Sequence, residues 1–263
     1  MRDACDGATR DLATATQQAM DAAGRRVAEA GADCVVVATP HGVHVGRHLA
    51  VVTAGSAEGA LTESPHAVQH AVRIDHELSR AIAAEAQSAA LPTVEVSFGG
   101  NSPAEAVMPL DWGALIPLWH IGRHAPALPA AVVCPARDLD TDQHVAFGAA
   151  VVRAARATGR SVVFVASADQ GHGHSAEGPY GFHAESAVFD RRVVDVVRRG
   201  DLDELEAMPR EDVVAALADS WWQMLMLVGA LREQGSPYRT EILAYEAPTY
   251  YGMLSALATP VAG

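Results

Sequence analysis

An α/β fold with a central, mostly parallel or mixed sheet flanked by helices is what this sequence predicts, and three observations carry the prediction. Short uninterrupted apolar runs rich in β-branched residues, at Cys34–Ala38, Ala130–Cys134 and Ser161–Ala166, have the character of strands buried on both faces. Longer stretches of helix-forming composition stand between them. Several of the apolar runs end abruptly in ionisable groups and glycines, and open α/β sheets hold their chemistry beyond the carboxyl ends of their strands. No internal repeat, low-complexity tract or linker interrupts the pattern, so residues 1–263 are expected to form one domain.

The elements are taken in chain order. Residues 8–30 have helical composition, and Gly31 is a plausible stop. Cys34–Ala38 is the first buried strand, ending at Thr39-Pro40-His41-Gly42. Pro40 cannot donate to a ladder and Gly42 permits a sharp turn, which leaves His41 at the mouth of a strand. Leu49–Thr53 reads as a short strand and residues 54–65 as a loop. Residues 71–90 carry Ile74, Leu78, Ile82 and Ala86 at helical spacing and predict an amphipathic helix. Thr93–Phe98 alternates as a strand does, and Asp111–Trp119 is an apolar segment headed by one carboxylate. Then come the strand Ala130–Cys134, a helix over 142–158 closed by Gly159, and the strand opening at Ser161. Helices are expected over 184–199 and 202–208, with two more in 213–231. Thr240–Glu246 is the last expected strand, ending on a carboxylate before Pro248.

Composition narrows the function. A hydrophobic content of 49% with 19% charged residues suits a compact enzyme, and a formal charge of −13 would repel nucleic acid and anionic membrane alike. No apolar run approaches the roughly 20 residues needed to span a bilayer, and the N-terminus has no signal-peptide core. Cys5, Cys34 and Cys134 form no metal-ligand spacing and are expected as free thiols in a reducing cytoplasm.

The densest chemistry comes after Ser161–Ala166, where Asp169, His172, His174, Glu177 and His183 share one loop with glycines at 171, 173, 178 and 181. Three strand ends thus carry candidate groups: His41, His172 with His174, and Glu246. Imidazole and carboxylate donors from different loops suit a borderline divalent metal, and two His with one carboxylate is the arrangement of non-haem Fe(II) oxygenases. Residue types alone leave Fe(II), Zn(II) and Mn(II) open. Asp111 either orients a catalytic histidine or caps the adjoining turn. The Asp75-His76-Glu77 run is read as a solvated helix face. His44, His48, His66, His70, His76, His120, His124 and His144 are read as surface or satisfied polar groups, and Trp119, Trp221 and Trp222 as core or interface.

Five segments in order resemble the class III extradiol ring-cleavage dioxygenases, in their catalytic β subunit of the protocatechuate 4,5-dioxygenase type. They are Pro40-His41-Gly42, Leu110–Leu118, Ala166–His174, Gly178-Pro179-Tyr180-Gly181 and Tyr245–Met253. The resemblance implies an Fe(II) enzyme that opens the ring of a catechol-type diol with O2, as a homo-oligomer or with a small partner subunit. It implies His41 and Glu246 as metal ligands, His172 as the acid–base group, and Tyr180 as a hydrogen-bonding wall of the pocket. His174 is then a supporting histidine and His183 a pocket-lining one. Two departures stand beside it. The family's first histidine ligand comes from an N-terminal strand, and no histidine occurs between Met1 and Gly31, with His44 the nearest substitute to His41. Trp112 stands where many relatives carry an active-site histidine. A zinc hydrolase on the same scaffold, or a Memo-like or degenerate metal-binding subunit, are the alternative readings.

Overall fold

A computed structural model describes residues 12–62 and 68–261, so Cys5, His66 and residues 8–11 of the first expected helix lie outside the described residues. The described residues separate into two compact units, one of residues 24–62, 68–167 and 222–235, the other of residues 12–23, 168–221 and 236–261.

The larger unit holds a mixed five-stranded sheet. Strands β1 (Cys34–Ala38), β2 (Leu49–Val52), β5 (Thr93–Val96), β7 (Ala130–Cys134) and β8 (Val162–Ala166) lie in the order β5-β2-β7-β1-β8. All neighbours are parallel except β2 with β7. The alternation of β1 divides the core into two layers. Cys34, Val36 and Ala38 pack with Leu78 and Ile82 of α2 (His76–Ser88), Phe147 and Val151 of α4 (Thr141–Ala157) and Met226 of α7 (Trp221–Gln234). Val35 and Val37 pack on the other face with Val72, Met108, Leu118 and Ile121. Those four come from β4 (Val68–Arg73), β6 (Val107–Pro109) and α3 (Trp112–Gly122). With β3 (Ser56–Leu61), β4 and β6 form a second, three-stranded sheet in the order β4-β3-β6.

Several expectations need correction. Residues 54–62 do not form the expected loop, 63–65 lying outside the described residues: Ser56–Leu61 is a strand paired with β4, so its backbone groups are met by a neighbour the local sequence does not announce. The helix expected from residue 71 starts at His76, because Ala71–Arg73 belongs to β4 and Asp75 is the N-cap of α2. β8 is not fully buried: all five residues are half-buried, since β8 is the sheet's edge and pairs among the described strands only with β1. Residues 202–207 form a 3-10 turn rather than an α-helix. His120 and His144 are buried within helices rather than at the surface, and His144 Nδ1 meets Asp140 O at 2.9 Å, the satisfied polar group of the other expectation.

Asp75 is not part of a solvated face either. Its carboxylate accepts from Leu78 N at 3.1 Å and from Arg160 Nε at 3.0 Å, and the residue is buried. Burial pushes its carboxyl up, but the Leu78 N–H and the Arg160 guanidinium outweigh burial and hold it below the ordinary carboxylate value. A depressed folded-state value stabilises the fold above the unfolded pKa and is lost as pH falls through the folded one. Asp75→Asn should therefore unfold more readily than the parent at pH 7, and the gap should close as pH drops below the ordinary 3.8. Thermal unfolding at pH 7 and pH 3 reads this; a gap that stays constant contradicts it.

The smaller unit is built on α5 (Ala184–Arg199), α6 (Arg210–Ala215) and an antiparallel hairpin of β9 (Tyr238–Glu246) and β10 (Met253–Pro260), with a bulge at Ser255/Ala256. Thr240–Glu246, expected as the last strand, is succeeded by β10. Phe189, Val193 and Val197 of α5 are buried in this unit with Leu205, Val213 and Trp221. Gly200, at φ +77°, ends α5 in the left-handed conformation that glycine adopts without penalty. The first helix, α1 (Thr14–Glu29), begins in this unit and ends in the larger one.

Candidate active site

In the larger unit, β1 ends at Ala38 and the chain bends through Thr39-Pro40-His41-Gly42. Thr39 Oγ1 donates to Asp111 Oδ1 at 2.6 Å, and the same oxygen accepts from Ala114 N at 3.2 Å. Asp111 is thus the N-cap of α3, one of the two roles left open for it. The His41 ring lies 4.6 Å from the ring of Trp112, which is 52% exposed and therefore serves as a wall rather than as core. His41, Gly42, Asp111 and Cys134 line a cavity of about 240 Å³ with apolar neighbours. Gly42 is required there: a Cβ would stand 2.5 Å from Cys134 Sγ.

In the smaller unit the loop after β8 is held by an unbroken series of backbone bonds. The N–H groups of six consecutive residues are all engaged. Asp169 donates to Asp219 Oδ1, Gln170 to Gly252 O, Gly171 to Asp190 Oδ1, His172 to Ala216 O, Gly173 to Ser186 Oγ and His174 to Tyr250 O, all between 2.7 and 3.1 Å. Loops with every donor satisfied do not drift. At the centre is Asp190, fully buried on α5, which accepts from Gly171 N at 2.7 Å, from His174 Nε2 at 2.8 Å and from Tyr245 Oη at 2.7 Å. Burial and then the Asp190 carboxylate push the Tyr245 phenol well above its ordinary value, so it remains a donor. Gly252 gives Asp190 its room: a Cβ there would fall 1.9 Å from Asp190 Oδ2.

His172 projects from this loop among three tyrosines. Its ring centroid is 6.0 Å from Tyr180, 6.1 Å from Tyr250 and 5.8 Å from Tyr251. Its Nδ1 is buried without a hydrogen-bond partner among the described residues. Burial first, and then the Asp169 carboxylate, push the Tyr251 phenol up to about 12, while burial and then Tyr180 push the Tyr250 phenol above its ordinary value. His183 caps α5 and its Nε2 meets Tyr180 O at 3.2 Å. Tyr180 is exposed. Glu246, at the end of β9, accepts from Thr16 N at 2.7 Å through Oε1.

The expected site residues therefore fall into two groups. His41 and Asp111 share the cavity of the larger unit, while His172, His174, Tyr180, His183 and Glu246 belong to the smaller one. Asp190 was missed. Its signal is legible in hindsight: Ser186, Phe189, Asp190, Val193 and Val197 make one helical stripe, and a carboxylate on an apolar stripe requires partners.

A family model described as the catalytic LigB subunit of aromatic ring-opening dioxygenase matches residues 2–254. The chain belongs to the LigB family. Among curated proteins it is similar to protein CA_C1420 of Clostridium acetobutylicum, 23% identical over 233 residues that make up 88% of this chain and 49% of that one. The chain thus spans about half the length of the curated relative it matches. Among solved structures it is similar to the uncharacterized protein JW3007 of Escherichia coli K12, with a TM-score of 0.61, 13% identity and 91% of each chain covered, which shows the shared α/β fold. LigB family members usually bind a metal. The His41 imidazole in the larger unit and the Glu246 carboxylate in the smaller are donors of the right chemistry. Among the described residues no group of three or more His, Cys, Asp or Glu is placed to hold an ion. No helix of the described residues is long and apolar enough to cross a membrane.

Proposed function

We propose that the chain is an Fe(II)-dependent extradiol dioxygenase that opens the ring of a catechol-type diol with O2. The observation that carries this reading is His172: an imidazole with an unpartnered buried nitrogen, on a loop with its backbone donors satisfied, walled by tyrosines, in a chain of the LigB family. His41 and Glu246 would hold the ion. The chemistry it supplies when bound is electron transfer between a ligated diol and O2. The rest belongs to the protein. His172 accepts a phenolic proton and later returns one, the acid–base role that an imidazole can take in both directions. Tyr180 hydrogen-bonds a substrate oxygen, and His174, tied to Asp190, keeps the loop in register. The cytoplasm is the compartment that suits the buried free thiols of Cys34 and Cys134. A homo-oligomer, or a small subunit covering the site, is the assembly proposed with this activity.

Oxygen uptake by Fe(II)-reconstituted protein across a panel of catechols, with metal analysis of the same samples, tests the reading. Zinc content with ester or amide hydrolysis and no oxygen uptake would favour a hydrolase on this scaffold. A second reading, a metal-binding subunit without turnover, predicts bound metal and neither activity. Glu246→Ala should lower metal content and also remove the acceptor for Thr16 N, costing about 1 kcal/mol of stability as capping losses do. Metal content equal to the parent's would reduce Glu246 to its capping role.

A further inference from the structure

We infer that the diol taken by this site bears a neutral, apolar ring substituent and no carboxylate. The inference rests on the dioxygenase reading and adds the substrate class to it. The cavity beside His41 holds about 240 Å³, below the roughly 300–1,000 Å³ of sites for drug-sized ligands, so it suits one ring with a small substituent. Its apolar wall is Val52, Ala57, Met108, Leu110 and Val132. Cys134 adds no charge, because burial pushes its thiol up to about 12.

Asp111 is the one charged side chain in the lining. A substrate carboxylate entering the cavity would face that like charge and lose its water without gaining an arginine or lysine partner from the lining. The feature most apt to receive an anion, the N-terminus of α3, is already occupied: Asp111 itself accepts from Ala114 N. The sequence extends the point beyond the cavity. The chain has no lysine, so arginine supplies all 19 of its basic side chains. None of them falls in residues 39–45 or 107–119, the segments that carry His41 and Asp111. Recognition of an aromatic acid ordinarily places an arginine fork or a free helix N-terminus at the carboxylate, and the lining of this cavity holds neither. Instead there is an apolar slot next to a metal-ligand type of histidine.

The test compares 4-methylcatechol with 3,4-dihydroxybenzoate, a pair that differs in the charge of one small substituent. Binding is read on metal-free protein carrying ¹³C-methyl methionine, with the Met108 signal assigned by Met108→Leu. The Met108 methyl should shift saturably with 4-methylcatechol at a concentration at least about tenfold lower than with 3,4-dihydroxybenzoate. Equal or reversed affinity overturns the inference, and so does a Met108 signal that answers neither probe. Leu110→Arg should raise affinity for 3,4-dihydroxybenzoate about tenfold; Pro109→Arg, at the exposed rim, serves the same purpose where Leu110→Arg does not fold. A folded arginine variant with the parent's preference also counts against the proposal. Oxygen uptake separates the two readings: selective binding without turnover sinks the dioxygenase alone, and turnover of the acid in preference sinks this inference alone.

Discussion

Replacing His172 by alanine should reduce turnover of any accepted diol by on the order of 10²–10⁴-fold, the usual contribution of a positioned acid–base group, and leave metal content unchanged. Its main chain is fixed by Ala216 O, and its neighbours by Asp190, Ser186 and Tyr250, so the loop survives removal of the ring. The lost function is then confined to proton transfer. Steady-state oxygen uptake with metal analysis of the same preparation measures both quantities. A variant that loses metal along with activity would make His172 a ligand and require a different base. A variant with full activity would leave the tyrosine-lined histidine without a catalytic role.

The largest effect on stability is expected at the crossing of α4 and α7. A Cβ built on Gly148 would stand 1.8 Å from Met226 O, and one on Gly229 would stand 1.8 Å from Val145 O. The glycines are reciprocal, each receiving a carbonyl of the other helix, so neither helix can retreat from one contact without opening the other. Phe147, Val151 and Met226 around the crossing are buried in one cluster, which removes room for relaxation. Overpacking a core with a side chain costs about 1–3 kcal/mol, occasionally more, and here the obstacle is backbone. By that measure, Gly148→Ala and Gly229→Ala should each cost about 3 kcal/mol or more by denaturant unfolding. Either variant within about 1 kcal/mol of the parent, by the same overpacking estimate, would mean the helices sit further apart than described.

Much of the fold was legible because its central strands advertise themselves. Cys34–Ala38 and Ala130–Cys134 are uninterrupted apolar runs, and both are buried strands of the mixed sheet. The helix Ala184–Arg199 is bounded as its composition and Gly200 suggest. The structure that escaped depends on distant partners. Ser56–Leu61, SAEGAL, has no strand-like pattern and is a strand because β4 and β6 flank it. Asp75 reads as solvated because its partner, Arg160, is 85 residues away. In the site, residue types gave the inventory but not the wiring. Asp190 connects Gly171, His174 and Tyr245 across 74 positions of sequence, and no local pattern records such a junction.

The exposed flank of Val162–Ala166 has a consequence of its own. Five residues without a charge, VVFVA, leave one row of main-chain donors and acceptors outside the ladder. Such a row is satisfied by water less completely than by a further extended segment, and the parallel sheet can be lengthened there by one register without disturbing its interior. This rim is one of the edges among the described strands at which crowding at high concentration would favour strand exchange between chains.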